Sequence, residues 1–382
     1  MTFFGDFLFF FCMALVLLPA VVLGLRGKPL GLYGLLASLV LLLAALAQDV
    51  RQLCWLLGYL LLEVALVQLY LRLRSRFGRV GWHYALCLAL SVLPVFLAKL
   101  SEVTPLHLFQ FIGVSYLTFR TAQVIIEIYD GLIQKVPLAE FLAFLLFFPT
   151  LSSGPIDRSR RFQQDYHRVY TREEYLDLVG DGLQKLLVGL VYKFVFASLA
   201  YHRLLSLADP KANVWLALGY AYAYGIYMFF DFAGYSRMAV GAAYLLGVRT
   251  PDNFDKPFVS HDVKEFWNRW HITLSQWLRD YLFSRLLMRG IKGKWFPDKL
   301  TGACCAFLVN MLVMGAWHGF ALHYLLYGLY HGVLLALTEV YQKKSSFYKK
   351  HKQDRWYRAL SWFVTLNFVM FGFLLFSGKL IG

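Results

Sequence analysis

The sequence predicts an all-α integral membrane protein, and three observations support this fold class. Of its 382 residues, 59% are hydrophobic and only 16% are charged, a composition far from that of soluble domains. The apolar residues gather into runs close to the twenty residues that a bilayer core requires. The 38 lysines and arginines concentrate between those runs, which is typical of membrane topology signals rather than of nucleic-acid binding.

These runs predict about ten or eleven crossings in one polytopic domain over 1–382. The first run is longer than the apolar region of a signal peptide and has Asp6 near its start instead of basic residues, so we interpret it as a retained span. Arginines 72, 74, 76 and 79 predict a cytoplasmic loop, and alternation then puts the N-terminus outside the cell. The predicted spans are 3–25, 30–47, 53–71, 82–98, 106–128, 183–205, 214–230, 303–317, 322–341 and 360–376.

Two apolar segments are predicted to be broken rather than to cross as regular helices. Residues 141–151 are about half the length of a span and contain Pro149, which predicts a re-entrant segment. After residue 230, Asp231, Arg237 and three glycines interrupt an apolar stretch and predict a half-helix. Broken backbone at membrane depth is tolerated where it lines a cavity, so both segments are expected near an internal chamber.

A cytoplasmic amphipathic helix is predicted from Ser260 to about Arg285. Aromatic and apolar residues, including Trp267, Trp270 and His271, recur there at spacings of three and four, whereas polar residues such as Asn268 take the opposite face. A membrane-surface helix with an aromatic belt explains this pattern about as well as a functional helix does. His271 favours the functional interpretation, because on the aromatic face it points inward.

After this helix, a short apolar segment is flanked by positively charged residues. Such a surface suits an acidic partner with a small hydrophobic patch. A membrane-anchored loop end with snorkelling arginines explains it equally well. The expected partner-binding residues are Arg285, Leu287, Met288 and Arg289.

His318 ends the apolar run AFLVNMLVMGAWHG, 47 residues after His271. An ionisable side chain at membrane depth is costly, and imidazole is suited to moving protons near neutral pH. The alternative is a structural histidine bonded to a carbonyl between packed helices. Downstream, His323, Tyr327 and His331 are interpreted as interhelical contacts. No carboxylate-bearing metal motif accompanies these histidines, so neither a metal nor an intrinsic cofactor is expected.

Four motifs together resemble the membrane-bound O-acyltransferase family. They are FPTLSSGPIDRSRRF, FFDFAGYSRMAVG, PDNFDKPFVSHDVKEFWNRWHITLSQWLRDYLF and MGAWHG. Within that family the chain is similar to the branch that serves the Dlt system of Gram-positive bacteria. The resemblance covers recognisable motifs from about residue 111 to residue 319, the expected catalytic core.

The resemblance implies a ring of membrane helices and an acyltransferase reaction. The family's catalytic histidine corresponds to His318 and its second important polar position to His271. Trp267, Asn268, Trp270 and Trp317 in the same motifs are expected to contact substrate. The implied donor is D-alanine on the phosphopantetheine arm of a small acidic D-alanyl carrier protein. The implied acceptor is lipoteichoic acid or an intermediate, with other membrane proteins of the Dlt system and membrane lipids as partners.

Two other functions compete with this interpretation. An exopolysaccharide or alginate-type O-acetylase of the same family would use the same histidines with an acetyl donor. A transporter or flippase would also explain broken helices around polar residues. Paired hydropathy symmetry is not evident, and intramembrane acidic residues are few, which disfavours the transporter. The sequence has no Ser/His/Asp or Cys/His arrangement, so direct attack on the donor is expected rather than an acyl-enzyme.

Overall fold

A computed structural model describes residues 2–47, 49–105, 111–207 and 209–380 of the protein. The described residues are helical and contain no β-strand; one isolated antiparallel bridge joins Phe254 and Trp270. Six helices in these ranges are long and apolar enough to cross a bilayer, by length and composition. They coincide with six of the predicted spans, and the predicted total of ten or eleven remains a prediction.

The described chain divides into two compact units. Unit 1 comprises Met1–Leu190 and Tyr235–Pro251, and unit 2 comprises Val191–Gly234 and Asp252–Gly382. The first helices are α1 (Phe7–Leu25), α2 (Gly31–Leu46), α3 (Val50–Phe77), α4 (Gly81–Ser101), α5 (Val114–Asp130), α6 (Leu138–Leu146), α7 (Ser159–Tyr166) and α8 (Arg172–Leu190). Residues 106–110, the start of the predicted span 106–128, lie outside the described residues.

The later helices belong mainly to unit 2. A π-helical segment, Val191–Ala197, continues α8 directly into α9. A second π-helical segment, Arg279–Phe283, joins α12 to α13. The helices are α9 (Ser198–Arg203), α10 (Val214–Leu245), α11 (Val263–Arg269), α12 (Ile272–Leu278), α13 (Ser284–Lys292), α14 (Lys299–His318), α15 (Leu322–Lys344), α16 (Ser346–His351) and α17 (Arg355–Phe376).

The broken segment predicted at 141–151 is present in unit 1. Helix α6 ends at Leu146, and a short 3₁₀ turn, Phe148–Thr150, follows it. The freed carbonyls are satisfied by Arg120, which is only 1% exposed. Its guanidinium donates to the carbonyl oxygens of Phe144 and Leu145, each at 2.6 Å, and to that of Thr150 at 2.5 Å. A buried cation therefore replaces the hydrogen bonds that the helix gives up at its end.

The second predicted break, after residue 230, is wrong. Helix α10 runs without interruption through Asp231 and the glycines, over 32 residues. In unit 2, Asp231 is paired with Lys193, so its charge does not require an irregular backbone. In unit 1, a Cβ on Gly241 would lie 2.5 Å from the carbonyl oxygen of Gly182, so this glycine permits close helix packing.

The single amphipathic helix predicted from Ser260 to Arg285 is also wrong. The helical region begins two residues later, where the Asp262 side chain caps α11 by accepting from the Glu265 N–H at 2.8 Å. It stops at Arg269 and resumes as α12 at Ile272. His271 itself lies between the two helices with φ 45° and ψ 50°, in the left-handed region that a non-glycine residue seldom occupies.

Candidate active site

The turn at His271 is organised by Asn253, a residue that was not among the predicted site residues. The Asn253 side-chain oxygen accepts from the Thr273 N–H at 3.1 Å and from the Thr273 hydroxyl at 2.8 Å. The same oxygen lies 3.2 Å from Nδ1 of His271. The backbone of Asn253 also accepts from the Ile272 N–H at 2.9 Å. These bonds hold the left-handed residue in place and make Nδ1 the protonated ring nitrogen.

The His271 ring is buried and its second nitrogen is not engaged. The residue is 3% exposed, and Nε2 has no hydrogen-bond partner among the described residues. The ring of Phe232 packs edge-on at 4.8 Å between centroids. Burial, with a smaller contribution from the charge of His318, lowers the pKa of His271 to about 3. His271 is therefore a neutral imidazole whose Nε2 is an available acceptor.

His318 occupies a different environment, at the last position of α14. Three residues, 319–321, separate it from α15, and Gly319 donates its N–H to the Gly315 carbonyl at 3.2 Å. The His318 ring is partly exposed and contacts aromatic rings: Phe376 at 4.9 Å and Tyr324 at 5.9 Å between centroids. A helix end of this kind leaves an imidazole accessible from outside the helix pair.

Small residues bring α14 and α15 close together next to His318. A Cβ on Gly315 would lie 2.4 Å from the Tyr324 carbonyl oxygen and 3.2 Å from the Gly328 Cα. The two glycines therefore face each other across the helix pair, as small residues do in membrane interfaces. This packing fixes the direction of the His318 end of α14.

Trp317 lies beside both histidines. Its ring centroid is 6.2 Å from that of His271 and 4.7 Å from that of His318. The structure thus brings together three residues that the sequence predicted for the site, although 47 positions separate the histidines. The Trp317 ring is therefore an apolar surface next to both imidazoles.

A cavity of about 270 Å³ lies in unit 2, and His271, Trp317 and His318 are not among its lining residues. It is lined by two predicted substrate residues, Trp267 and Asn268. Leu274, in the first turn after His271, and Met314, one turn before His318, also line it. The lining polar groups include Lys264, Ser275, Arg279 and Asn310. The cavity is therefore mostly apolar with a few convergent polar groups, which is typical of a small-molecule site.

Asn310 is a cavity residue that the sequence analysis missed. It is 8% exposed, and its side-chain oxygen has no hydrogen-bond partner among the described residues. A buried amide oxygen without a partner is costly unless a ligand or water satisfies it. Its position within the apolar run before His318 was the available signal, because a lone polar residue in such a run points to function.

Trp270 does not line the cavity. Its ring stacks on Phe266 at 5.7 Å and packs against Phe373 at 4.8 Å and Phe254 at 5.0 Å. Trp270 therefore lies in an aromatic cluster next to the turn at His271. Its assignment as a substrate-binding residue stays a prediction.

His331 links α15 to α11. The Trp267 indole N–H lies 3.3 Å from Nδ1 of His331, which is 1% exposed. A Cβ on Gly372 would lie 2.4 Å from Nε2 of the same ring, so α17 packs closely on its other side. This geometry agrees with the interpretation of His331 as an interhelical contact. No group of three or more potential metal-ligating side chains occurs within the described ranges.

The four predicted partner-binding residues lie on α13 and do not all face outward. Met288 is 55% exposed, and Arg289 is also exposed. Arg285 and Leu287 are half-buried, and Leu287 packs towards Gly302 at the start of α14. The exposed apolar surface instead continues from Met288 to Ile291 and Trp295, which are 39% and 60% exposed. We call Met288, Ile291 and Trp295 the α13 patch.

Comparison with known proteins identifies the family. The model of the MBOAT, membrane-bound O-acyltransferase family matches residues 55–378, which is most of the chain. The chain belongs to the membrane-bound O-acyltransferase family. Family membership establishes that the protein is an acyltransferase and a multi-pass membrane protein, and it rules out the transporter alternative. The whole of unit 2 that surrounds His271 and His318 falls within the matched range, apart from its last four residues.

Some relatives are similar over nearly the full chain and others over part of it. Teichoic acid D-alanyltransferase of Bacillus subtilis is 40% identical over 99% of this chain and 98% of its own length. The same enzyme of Streptococcus thermophilus is 38% identical over 99% of this chain and 95% of its own. A probable alginate O-acetylase of Pseudomonas aeruginosa is 32% identical over 72% of this chain and 50% of its own.

Proposed function

We propose that this acyltransferase moves D-alanine from a carrier thioester to an extracellular hydroxyl acceptor during lipoteichoic acid D-alanylation. The choice of D-alanine as the donated group rests on one observation. Relatives named teichoic acid D-alanyltransferase align over 97% to 99% of this chain, whereas relatives named alginate O-acetylase align over 72%. The similarity to the D-alanyltransferases therefore includes parts of the chain that the acetylase matches leave out.

His318 is the proposed general base. The acceptor hydroxyl gives its proton to His318 as its oxygen bonds to the thioester carbonyl carbon. The carbon–sulfur bond then breaks, an ester remains on the acceptor, and the departing thiolate takes up a proton. General base assistance of this kind contributes about 10² to 10⁴ in rate. The accessible ring at the end of α14 supports this assignment.

His271 is the proposed positioning residue for the donor. Its Nε2 is a buried, neutral acceptor, and its ring orientation is fixed through Asn253. Because its ring is fixed and desolvated, His271 is better suited to orienting an arriving acyl arm than to gaining and losing a proton. Trp317, which is near both rings, would then flank the thioester.

The 270 Å³ cavity is the proposed path of the phosphopantetheine arm. Trp267 and Asn268, which are predicted to contact substrate, line its wall. The Asn310 oxygen suits an amide N–H of the arm, because that contact would satisfy the buried acceptor. Arg279 also lines the cavity and suits the phosphate of the arm. The protein supplies no cofactor of its own in this proposal, since the arm belongs to the carrier.

The α13 patch is the proposed docking surface for the carrier protein. Its three exposed apolar side chains are accompanied by the exposed cations Arg289, Lys292 and Lys294. An acidic carrier with a small apolar patch complements both features. From the charge distribution between the apolar segments, we propose that this surface is cytoplasmic and that the N-terminus is outside. The acceptor and the other membrane proteins of the Dlt system would then approach from outside.

Donor competition tests the proposal and separates it from O-acetylation. Cells lacking their own D-alanylation activity, supplied with this chain, are labelled with radioactive D-alanine or radioactive acetate. We expect D-alanine in lipoteichoic acid with the wild-type chain and background with His318→Ala. Acetate incorporation that depends on His318, without D-alanine incorporation, would instead support an O-acetylase.

A further inference from the structure

A second cavity, of about 530 Å³, lies in unit 2 between α15, α16, α17 and the segment that begins α11. It is separate in its lining residues from the cavity beside His271. Its volume is within the range of ligand sites, roughly 300 to 1,000 Å³. The proposed acyl transfer makes no use of it.

One end of this second cavity is apolar. Leu337 on α15 and Leu360, Val364 and Phe368 on α17 line it, and they are 59%, 52%, 40% and 43% exposed. Helix α17 is one of the six candidate membrane spans. The apolar wall therefore faces the space that lipid chains occupy.

The opposite end is basic. Lys352, at the end of α16, and Arg358, in the first turn of α17, line the cavity where the two helices meet. Arg358 and Phe368 are ten residues apart on α17, about 15 Å along the helix. The cavity thus has a charged end at the helix corner and an apolar end deeper along α15 and α17.

The two cations at this corner have no carboxylate paired with them among the described residues. Nη2 of Arg358 lies 3.5 Å from Nε2 of His261, another lining residue. The nearby carboxylate of Asp354 is paired with His351 at 2.6 Å. The lining contains one carboxylate, Asp262, which accepts from the Glu265 N–H and from Gln342. Two lining cations against one lining carboxylate leave the corner with a net positive charge that can attract an outside anion.

We propose that this cavity binds an anionic phospholipid. Its phosphate lies between Lys352 and Arg358, because guanidinium and ammonium groups at a membrane boundary bind lipid phosphates. One acyl chain follows Leu360, Val364 and Phe368 along α17. The apolar wall favours a lipid over a free phosphate, and the cations favour an anionic lipid over a zwitterionic one. This inference is independent of the proposed D-alanyl transfer.

Lipid binding to the full chain, purified in neutral detergent, tests the proposal by native mass spectrometry. The probes are dioleoyl phosphatidylglycerol, dioleoyl phosphatidylcholine and glycerol 3-phosphate. We expect tight binding of one phosphatidylglycerol, weaker phosphatidylcholine, and no displacement by glycerol 3-phosphate. The double substitution Lys352→Gln and Arg358→Gln should weaken phosphatidylglycerol binding about 25-fold, roughly fivefold for each cation removed.

The double substitution Lys349→Gln and Lys350→Gln is the matched control, because these exposed lysines are on α16 but do not line the cavity. We expect this pair to stay within about twofold of wild type, since neither side chain lines the cavity and exposed charges that do not touch the phosphate are screened. Val364→Trp should displace the lipid while all cations remain, and Arg358→Lys should keep the preference for the anionic lipid. Equal binding of the two lipids, displacement by glycerol 3-phosphate, or an equal effect of the control pair would overturn the proposal.

Discussion

The two histidines of the site are held in opposite ways. His271 is almost fully buried, lies in a left-handed turn, and is fixed by a side-chain network around Asn253. His318 is partly exposed, ends a regular helix, and is surrounded by aromatic rings. The difference indicates a division of roles. A locked, desolvated imidazole is suited to positioning, and an accessible imidazole is suited to proton transfer.

The largest expected effect follows removal of the accessible ring. His318→Ala should lower D-alanine transfer by about 10² to 10⁴, because no other group supplies the base. The measurement is incorporation of radioactive D-alanine into lipoteichoic acid. His323→Ala is the matched control, since His323 lies five residues further on against Tyr324 and is interpreted as structural. Equal losses in both variants would refute a specific role for His318.

Replacing Asn253 should free the His271 ring and lower the transfer rate. Asn253→Ala leaves the Thr273 donors and Nδ1 of His271 without their acceptor, which costs about 1 to 3 kcal/mol of stability. We expect transfer to fall by roughly the same factor as in His271→Ala, because both variants free the donor arm. Thermal unfolding and transfer kinetics measure the two effects. An active Asn253→Ala protein beside an inactive His271→Ala protein would contradict positioning through Asn253.

A smaller effect is expected at the docking surface, far from both rings in sequence. Met288→Asp should weaken carrier binding roughly tenfold, because it adds negative charge to an apolar contact that faces an acidic partner. Equilibrium binding of the purified carrier measures this. Val169→Asp is the control, as Val169 is equally exposed at 55% but lies outside the α13 patch. Unchanged binding by Met288→Asp would remove the α13 patch from the proposal.

The smallest effect concerns acid stability. Burial lowers the pKa of His271 to about 3 from an ordinary value of 6.5, so the unfolded chain binds the extra proton between these pH values. Stability from the neutral ring is complete above pH 6.5 and is lost as the pH falls towards 3. At pH 5.5 the loss is about 1.4 kcal/mol. Unfolding of wild type and His271→Asn between pH 7.5 and 5.5 measures it, and identical pH dependence would contradict a buried neutral His271.

The sequence predicts well those features that depend on local composition. Span lengths follow from hydropathy, and Pro149 in a short apolar run predicts the break after α6. His318 is predicted because an ionisable group in an apolar run has a cost that requires a reason. These features need no knowledge of distant residues.

Features that depend on distant partners are not predicted. The periodicity of 260–285 continues through His271, so it cannot reveal that Asn253 turns the chain there. Asp231 and the glycines of α10 resemble a break until Lys193 and the Gly182 backbone are known to meet them. Asn310 is one polar residue in an apolar run, and only the cavity gives it a role.

Single-turnover transfer from a D-alanyl-loaded carrier tests the division of roles most directly. Carrier binding and ester formation are measured separately for wild type, His318→Ala and His271→Ala in the purified full chain. The account predicts that His318→Ala binds the loaded carrier with wild-type affinity and forms no ester. His271→Ala should instead lose productive donor binding and regain part of its rate at saturating carrier. Ester formation by His318→Ala at the wild-type rate would contradict the account.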